Sequence, residues 1–330
     1  MSPRTFSWQS DDQEHTATLD GDVLRWATVT DAYDDDHPYT GATEQQQAVA
    51  DFVAGGPIEA APIQALEEIL RALGDKPWWL EPLRLQQAAA AGDLAAVQTL
   101  LRAGAQPNVV VRGRTALSAA IEAEQIEAAT AVLAARADPN VRLTGGTTAV
   151  HLAAHGAKTA AWVVLLRALV AAGANLEARG EAGQTPLLQG LRGHLCKEGV
   201  ETLVAERKAV NLPDADGATP LLAEARGWCR PSVVRALIGA GANINARSKD
   251  GWSPLLWAIT KHDVWFVKML LDGGADVKVV GEPHKQGQSS RSALELARSY
   301  TAQVGAAQKD RALPLAKQIV DLLLAAGADK

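Results

Sequence analysis

Thr148-Ala149-Val150-His151-Leu152-Ala153-Ala154 decides the fold, because shortened copies of it return along the chain. The copies are Thr115-Ala116-Leu117, Thr185-Pro186-Leu187, Thr219-Pro220-Leu221, Ser253-Pro254-Leu255 and Ser292-Ala293-Leu294, and the six starts are spaced by 33, 37, 34, 34 and 39 residues. A second phrase keeps step behind the first: Leu100-Leu101-x-x-Gly104-Ala105, Leu169-Val170-x-x-Gly173-Ala174, Leu237-Ile238-x-x-Gly241-Ala242, Leu270-Leu271-x-x-Gly274-Ala275 and Leu323-Leu324-x-x-Gly327-Ala328. Self-similarity at ~33 residues with two anchors per period indicates a solenoid.

Physical chemistry explains these residue types at this period. Threonine caps a helix, and proline's fixed φ suits the first helical turn. The alanines that follow, such as Ala119-Ala120 and Ala153-Ala154, leave a thin face against which the next unit can stack. Leu-Leu supplies the inner stripe of a second helix. The recurring glycine stands where a helix end needs a left-handed residue. Asn108, Asn140, Asn175, Asn211, Asn243 and Asn245 follow it in the turn. No unit buries its apolar face alone; stacking does that.

Both phrases resemble those of the ankyrin-repeat family, whose pattern runs roughly D-x-x-G-x-T-P-L-H-x-A-A, then a second helix, then L-L-x-x-G-A-D-x-N. The resemblance implies a mainly α fold, an array of about seven helix-turn-helix units over residues 81–330; residues 1–80 read separately, from their own pattern, as a small α+β region. Departures from the pattern mark individual units. The third has about four extra residues around Trp162, enough for another helical turn. In the fourth, Gly190-Leu191 replaces Ala-Ala and Arg207-Lys208 replaces Gly-Ala, so this unit is expected to exchange its amide protons fastest. The sixth connection is an enlarged finger, Val277 to Ser290, and the last unit inserts about fourteen residues around Tyr300 to Pro314, both read as exposed loops.

Residues 1–80 show no such phrase. His15 to Leu19 and Val23 to Thr28, joined by Asp20-Gly21-Asp22, read as a β-hairpin, with Trp8, Leu19, Leu24 and Trp26 for one apolar face. Asp31 to Gly41 reads as a polar loop, and helices are expected over about Thr43 to Ala54 and Pro62 to Leu73. So short a region is expected to lean on the array through Trp78 and Trp79.

Charge is divided in the same way as the pattern. The 330-residue chain carries a net charge of −6, but residues 1–80 hold 15 Asp/Glu against 4 Lys/Arg and residues 81–330 hold 23 against 28. A net-acidic chain speaks against nucleic acid as a partner. No apolar stretch approaches the ~20 residues of a spanning helix, and the first fifteen residues lack a secretory apolar core, so cytoplasmic residence without a membrane is expected. Two cysteines, Cys196 and Cys229, fit a reducing compartment. Alanine enrichment and arginine in excess of lysine are common in GC-rich bacterial genomes.

Candidate chemical sites read as structural. Asp31-x-x-Asp34-Asp35-Asp36-His37 lacks the glycine and glutamate of a calcium loop. Cys196 and Cys229, with His194 nearby, lack Cys-x-x-Cys spacing and read as buried free thiols rather than a zinc cluster. His151 reads as a hydrogen-bonded structural histidine. Nucleophile-elbow, phosphate-loop, dinucleotide and H-E-x-x-H motifs are absent, so no enzyme, metal or cofactor is expected.

What remains is surface. In the resembled family the concave face is built from the residue before the Thr-Pro-Leu phrase and the two that close the first helix. One row is then Arg114, Thr147, Gln184, Ala218, Trp252 and Arg291; the other is Glu122, His155, Arg192, Arg226, Thr260 and Ser299, with Lys261 and Tyr300 beside it. Singly these would pass as solvated side chains; as a set they are basic and end in aromatics, the combination enriched at interfaces. The partner-binding candidates are Arg114, His155, Gln184, Arg192, Arg226, Trp252, Lys261 and Tyr300, with His284 and Lys285 on the finger. Trp257 and Phe266 read as core, while Trp228 and Trp265 stay open. The resemblance implies a non-catalytic module, monomeric or in a heterodimer with a protein bearing an acidic patch. The leading specific reading is a bacterial cytosolic immunity protein that masks a toxic effector. Its alternatives are an effector with an enzymatic N-terminal region and an autoinhibited scaffold.

Overall fold

The computed structural model describes residues 4–10, 13–20, 23–30, 41–47, 80–111, 113–207, 209–281, 291–306 and 312–328. The chain divides into two compact units, one over residues 1–83 with 110–112 and one over the rest.

In the first unit, β1 (Arg4–Ser10), β2 (Gln13–Asp20), β3 (Val23–Thr30) and β4 (Gly41–Gln47) form an antiparallel sheet in sequential order. The expected hairpin is β2–β3, in which Leu19 pairs with Leu24 and Ala17 with Trp26. The expected helix from Thr43 is overturned over its first turn, where β4 pairs with β3 from Thr30↔Gly41 to Leu24↔Gln47. A glutamine-rich run has fair helix propensity, but a free strand edge offers every second N–H and C=O a partner, and such context overrides propensity. The expected helix at Pro62 to Leu73, the acidic run Asp31 to His37, and Trp78 and Trp79 lie outside the described residues.

In the second unit, helices pair seven times among the described residues. The pairs are α1 (Leu80–Ala91) with α2 (Leu94–Arg102), α3 (Ala116–Glu122) with α4 (Ile126–Ala134), α5 (Ala149–Gly156) with α6 (Ala160–Ala171), and α7 (Pro186–Arg192) with α8 (Lys197–Val204). Then come α9 (Pro220–Arg226) with α10 (Pro231–Gly239), α11 (Pro254–Thr260) with α12 (Val264–Asp272), and α13 (Ala293–Ala306) with α14 (Ala312–Ala325). The capping logic holds atom by atom. Thr115 and Ser118 form a reciprocal box, Thr185 and Ser253 accept from Leu188 N and Leu256 N, and Ser292 pairs reciprocally with Glu295. The thin alanine face is buried: Ala120, Ala153, Ala154, Ala225 and Ala258 are 0% exposed. Gly190 replaces alanine because a Cβ there would meet Leu195 Cδ2 at 2.9 Å and Ala154 O at 3.1 Å.

The extra residues of the third unit make α6 twelve residues long against nine for α4, α10 and α12, with its Trp162 ring packed over Gly156 at the end of α5. The last-unit insertion is helical on both sides of residues 307–311, which lie outside the described residues: α13 and α14 are fourteen residues each, so Tyr300 sits inside a helix and Pro314 inside a first turn, where a missing N–H is harmless. The enlarged finger is bracketed by β5 (Val280–Gly281) paired with β6 (Arg291–Ser292), and residues 282–290, with His284 and Lys285, lie outside the described residues.

An asparagine ladder ties consecutive fingers. Asp138 N donates to Asn108 Oδ1, Asn175 N to Asn140 Oδ1, Asn243 N to Asn211 Oδ1 and Asp276 N to Asn245 Oδ1, at 2.7, 2.7, 2.7 and 2.8 Å. The next rung after Asn140 falls on Glu177, which cannot donate back, and the ladder breaks between the third and fourth units. The fourth unit is weakened a second time at its C-cap. Gly104, Gly173, Gly241, Gly274 and Gly327 hold φ of 84 to 93°, and a Cβ on any of them would meet nothing within 4 Å, so the backbone angle alone selects glycine. Arg207 occupies that conformation at φ 58° and Arg136 at 63°. Left-handed backbone disfavours a residue with a Cβ by ~1 kcal/mol. Arg207→Gly should therefore raise stability by about 0.5–1 kcal/mol and slow amide exchange across residues 185–213, the window expected to exchange fastest in the unaltered chain. Unchanged exchange there would show that the cap does not limit this unit.

Candidate functional site

The two rows lie side by side. Arg114 Nε contacts Glu122 Oε2 at 2.7 Å, and Arg291 Nη1 donates to Ser299 Oγ at 3.2 Å, joining a finger residue to the end of α3 in the first case and to the middle of α13 in the second. Arg114 keeps a 60% exposed side chain, but its charge is shared with Glu122. His155 is exposed and Gln184 half-buried.

Arg192 is held by an acid that the row reading missed. Its Nη2 lies 3.1 Å from Asp214 Oδ2, with the arginine side chain 54% exposed and the aspartate 3%. Asp214 Oδ1 accepts from Asp216 N and Ala218 N at 3.0 and 2.9 Å, so one carboxylate closes the finger and orients the guanidinium. The signal was in the sequence: Asp214-Ala215-Asp216-Gly217-Ala218-Thr219-Pro220 keeps the whole D-x-x-G-x-T-P pattern. Arg226 is exposed, with its guanidinium carbon 5.9 Å from the centre of the Trp257 ring. Lys261 Nζ donates to Gly227 O in the preceding unit. Tyr300 is half-buried, edge-on to His262 at 5.0 Å, and so is packed between the last two units.

Trp252 corrects the exposed-anchor expectation. It is 8% exposed, its ring centre lies 4.8 Å from that of Trp257, and it belongs to the core. The template position is half-buried at Gln184 and Ala218, but an indole is wide enough to fold over Trp257 and shed water. Phe266 is 0% exposed, and Trp257 packs against the core while its face carries Arg226. Trp265 lies between Phe266 and Arg235, at 6.3 and 5.3 Å. Trp228 is 72% exposed.

Among the described residues no group of three His, Cys, Asp or Glu side chains is placed to hold a metal ion, and no helix is long and apolar enough to cross a membrane. Cys196 is half-buried rather than buried; burial, with Asp263 nearby, pushes the Cys229 thiol up to about 12, leaving it protonated and unreactive. A second buried ionic group went unforeseen. Glu224, 2% exposed at a position held by alanine in other units, pairs with Arg230, which also donates to Leu195 O at 2.6 Å.

His151 is buried completely. Its Nδ1 faces Thr148 N at 3.3 Å and Oγ1 at 2.9 Å, and its Nε2 faces Gln184 O at 3.2 Å. A carbonyl cannot donate, so the proton sits on Nε2 and the ring is neutral. Burial lowers its pKa from 6.5. Below that value the unfolded chain takes up the proton more readily than the folded one, so stability present at neutral pH is lost as pH falls through the lowered pKa. His151→Leu should be less stable at pH 7 yet lose less on acidification below 6.5, as read from urea midpoints. Parallel pH profiles would assign the acid loss elsewhere.

The family model described as ankyrin repeats in three copies matches residues 85–180 and 191–280. None of the curated proteins matches the chain. Among solved structures, the ankyrin repeat domain of Bcl-3, described as a unique member of the IkappaB protein family, is 26% identical with a TM-score of 0.58, covering 73% of this chain and 97% of that one. An ankyrin repeat domain from Acinetobacter baumannii AYE is 31% identical with a TM-score of 0.54, covering 58% and 98%. The human ASB11 ankyrin repeat domain is 26% identical with a TM-score of 0.50, covering 64% and 90%. With more than half of its length matched by the family model and both anchor phrases forming paired helices, the chain belongs to the ankyrin-repeat family.

Proposed function

We propose that this ankyrin array is a non-catalytic module that binds a protein through an acidic patch, and that it serves as a bacterial cytosolic immunity protein neutralising a toxic effector. Ankyrin repeats are protein-interaction modules, which supports the general reading. One observation carries the acidic partner: Arg226 and Lys261, with no carboxylate partner among the described residues, are held in place by the array itself, through the Trp257 ring and Gly227 O. Cations ordered in advance lose little side-chain entropy when an acidic surface arrives. The likeness to a bacterial ankyrin domain and two free cysteines support the bacterial cytosolic setting.

Purification from the native host, with mass spectrometry of what accompanies the chain, should yield one stoichiometric acidic protein that arrests growth when expressed alone and not when co-expressed with the chain. Arg226→Glu should slow association on the order of tenfold at low salt and flatten its salt dependence, as steering charges do. Arg192 is the poorer probe, since reversing it would set two carboxylates against each other. A basic partner, or an unaltered association rate, would sink the acidic-patch reading; a harmless partner would sink the immunity reading alone.

A further inference from the structure

Trp228 is the most exposed large apolar side chain among the described residues, at 72%. It stands in a rigid turn. In the second, fourth and sixth units the residue after the first helix's C-cap is left-handed: Glu124, His194 and His262, with φ of 59, 64 and 56°. The fifth unit departs from this path. Gly227 ends α9 with φ −87° and ψ −121°, and the left-handed residue comes at Cys229, φ 53°. A Cβ on Gly227 would lie 2.9 Å from Ala223 O, so only glycine follows this path, and it presents a tryptophan where the neighbours present histidine. The His194 ring packs beside the indole at 5.1 Å, and the Lys261 ammonium binds the carbonyl leading into it. An indole this exposed in a well-held turn marks a contact site.

The charges around it are one-sided. Glu224 is committed to Arg230, Asp214 to Arg192, and Asp263 accepts from Phe266 N at 2.9 Å as the cap of α12. Arg226 and Lys261 have no carboxylate partner among the described residues. Resting on the protein-binding reading above, we infer that the turns of the fourth to sixth units form a docking surface on which an acidic polypeptide segment lays an apolar side chain against Trp228, its carboxylates meeting Arg226 and Lys261. Two uncommitted cations are too few for a phosphate backbone, whose affinity comes from neutralising many charges in a row.

The test pans a display library of random short peptides against the full chain. Selected peptides are then measured by fluorescence anisotropy against the chain, Trp228→Ala, Arg226→Glu with Lys261→Glu, and His155→Ala with Gln184→Ala. Selected peptides should be acidic with at least one large apolar residue. They should lose roughly tenfold or more in affinity with Trp228→Ala, as an anchor residue does, and keep it with His155→Ala and Gln184→Ala. Because Trp228 is exposed, its variant should retain the circular dichroism of the parent. Acidic peptides that depend on His155 and Gln184 but not on Trp228 would overturn this inference and leave the two-row reading standing. A selection without acidic peptides would overturn it as well. So would Trp228-dependent binding of a labelled single-stranded oligonucleotide, or Trp228-dependent self-association in size-exclusion chromatography.

Discussion

Arg230→Met should destabilise the array by about 3 kcal/mol, because it leaves the Glu224 carboxylate buried without a counter-charge. Glu224 is 2% exposed and Arg230 23%, so removing the guanidinium costs far more than the pair itself contributes. The carboxylate keeps one partner, Arg230 N–H at 3.2 Å, which sets the expected loss at the lower end for broken buried pairs. Arg230 also donates to Leu195 O, so the fourth unit loses a tie to the fifth. Glu224→Ala with Arg230→Met should recover most of the loss, since alanine is what Ala120 and Ala153 place there and no charge is then stranded. Urea unfolding of the parent, both single variants and the pair gives the cycle. A single-variant loss below about 1 kcal/mol would mean that water reaches Glu224 once the arginine is gone.

Most of the array was legible because a solenoid repeats its reasons. Cap, thin alanine face, leucine stripe and left-handed glycine recur at fixed offsets, so one unit read correctly predicts the next. The exceptions share a cause: they depend on a contact between residues that the period does not relate. β4 was missed because its partner edge, not its own composition, makes Gly41–Gln47 extended. The last insertion was read as a loop because length alone marks an insertion, whereas α13 and α14 pack on each other as helices and bury Leu296, Ala297, Ala316, Ile319 and Leu323. For the two rows, the template gave which residues are neighbours, with Arg114 against Glu122 and Arg291 against Ser299. It could not give burial, which depends on side-chain size and on whatever lies above. Trp252 loses the exposed role that position alone assigns it, and Trp228, which the sequence left open, is the exposed indole.

Trp252→Ala should accordingly fail by unfolding. As an exposed anchor it would leave the fold intact and only hasten release of a partner. Burial predicts the reverse order of effects. Trp252 packs on Trp257, and β5 runs across the indole: a Cβ on Gly281 would stand 3.6 Å from its Cε2. Its backbone is pinned as well, with Ser248 Oγ accepting from Trp252 N at 3.2 Å and Ser248 N donating to Trp252 O at 3.0 Å. Removing the ring leaves a cavity that this pinned backbone cannot close, and tryptophan-to-alanine changes in such sites cost about 3 kcal/mol or more. In a nearly one-dimensional array the damage should centre on the sixth unit and β5, with amide exchange rising over residues 253–281 and hardly at all over residues 115–150. Trp252→Phe, which keeps a ring against Trp257, should recover more than half of the lost stability. An unshifted urea midpoint for Trp252→Ala would return the residue to the surface and its role to the partner.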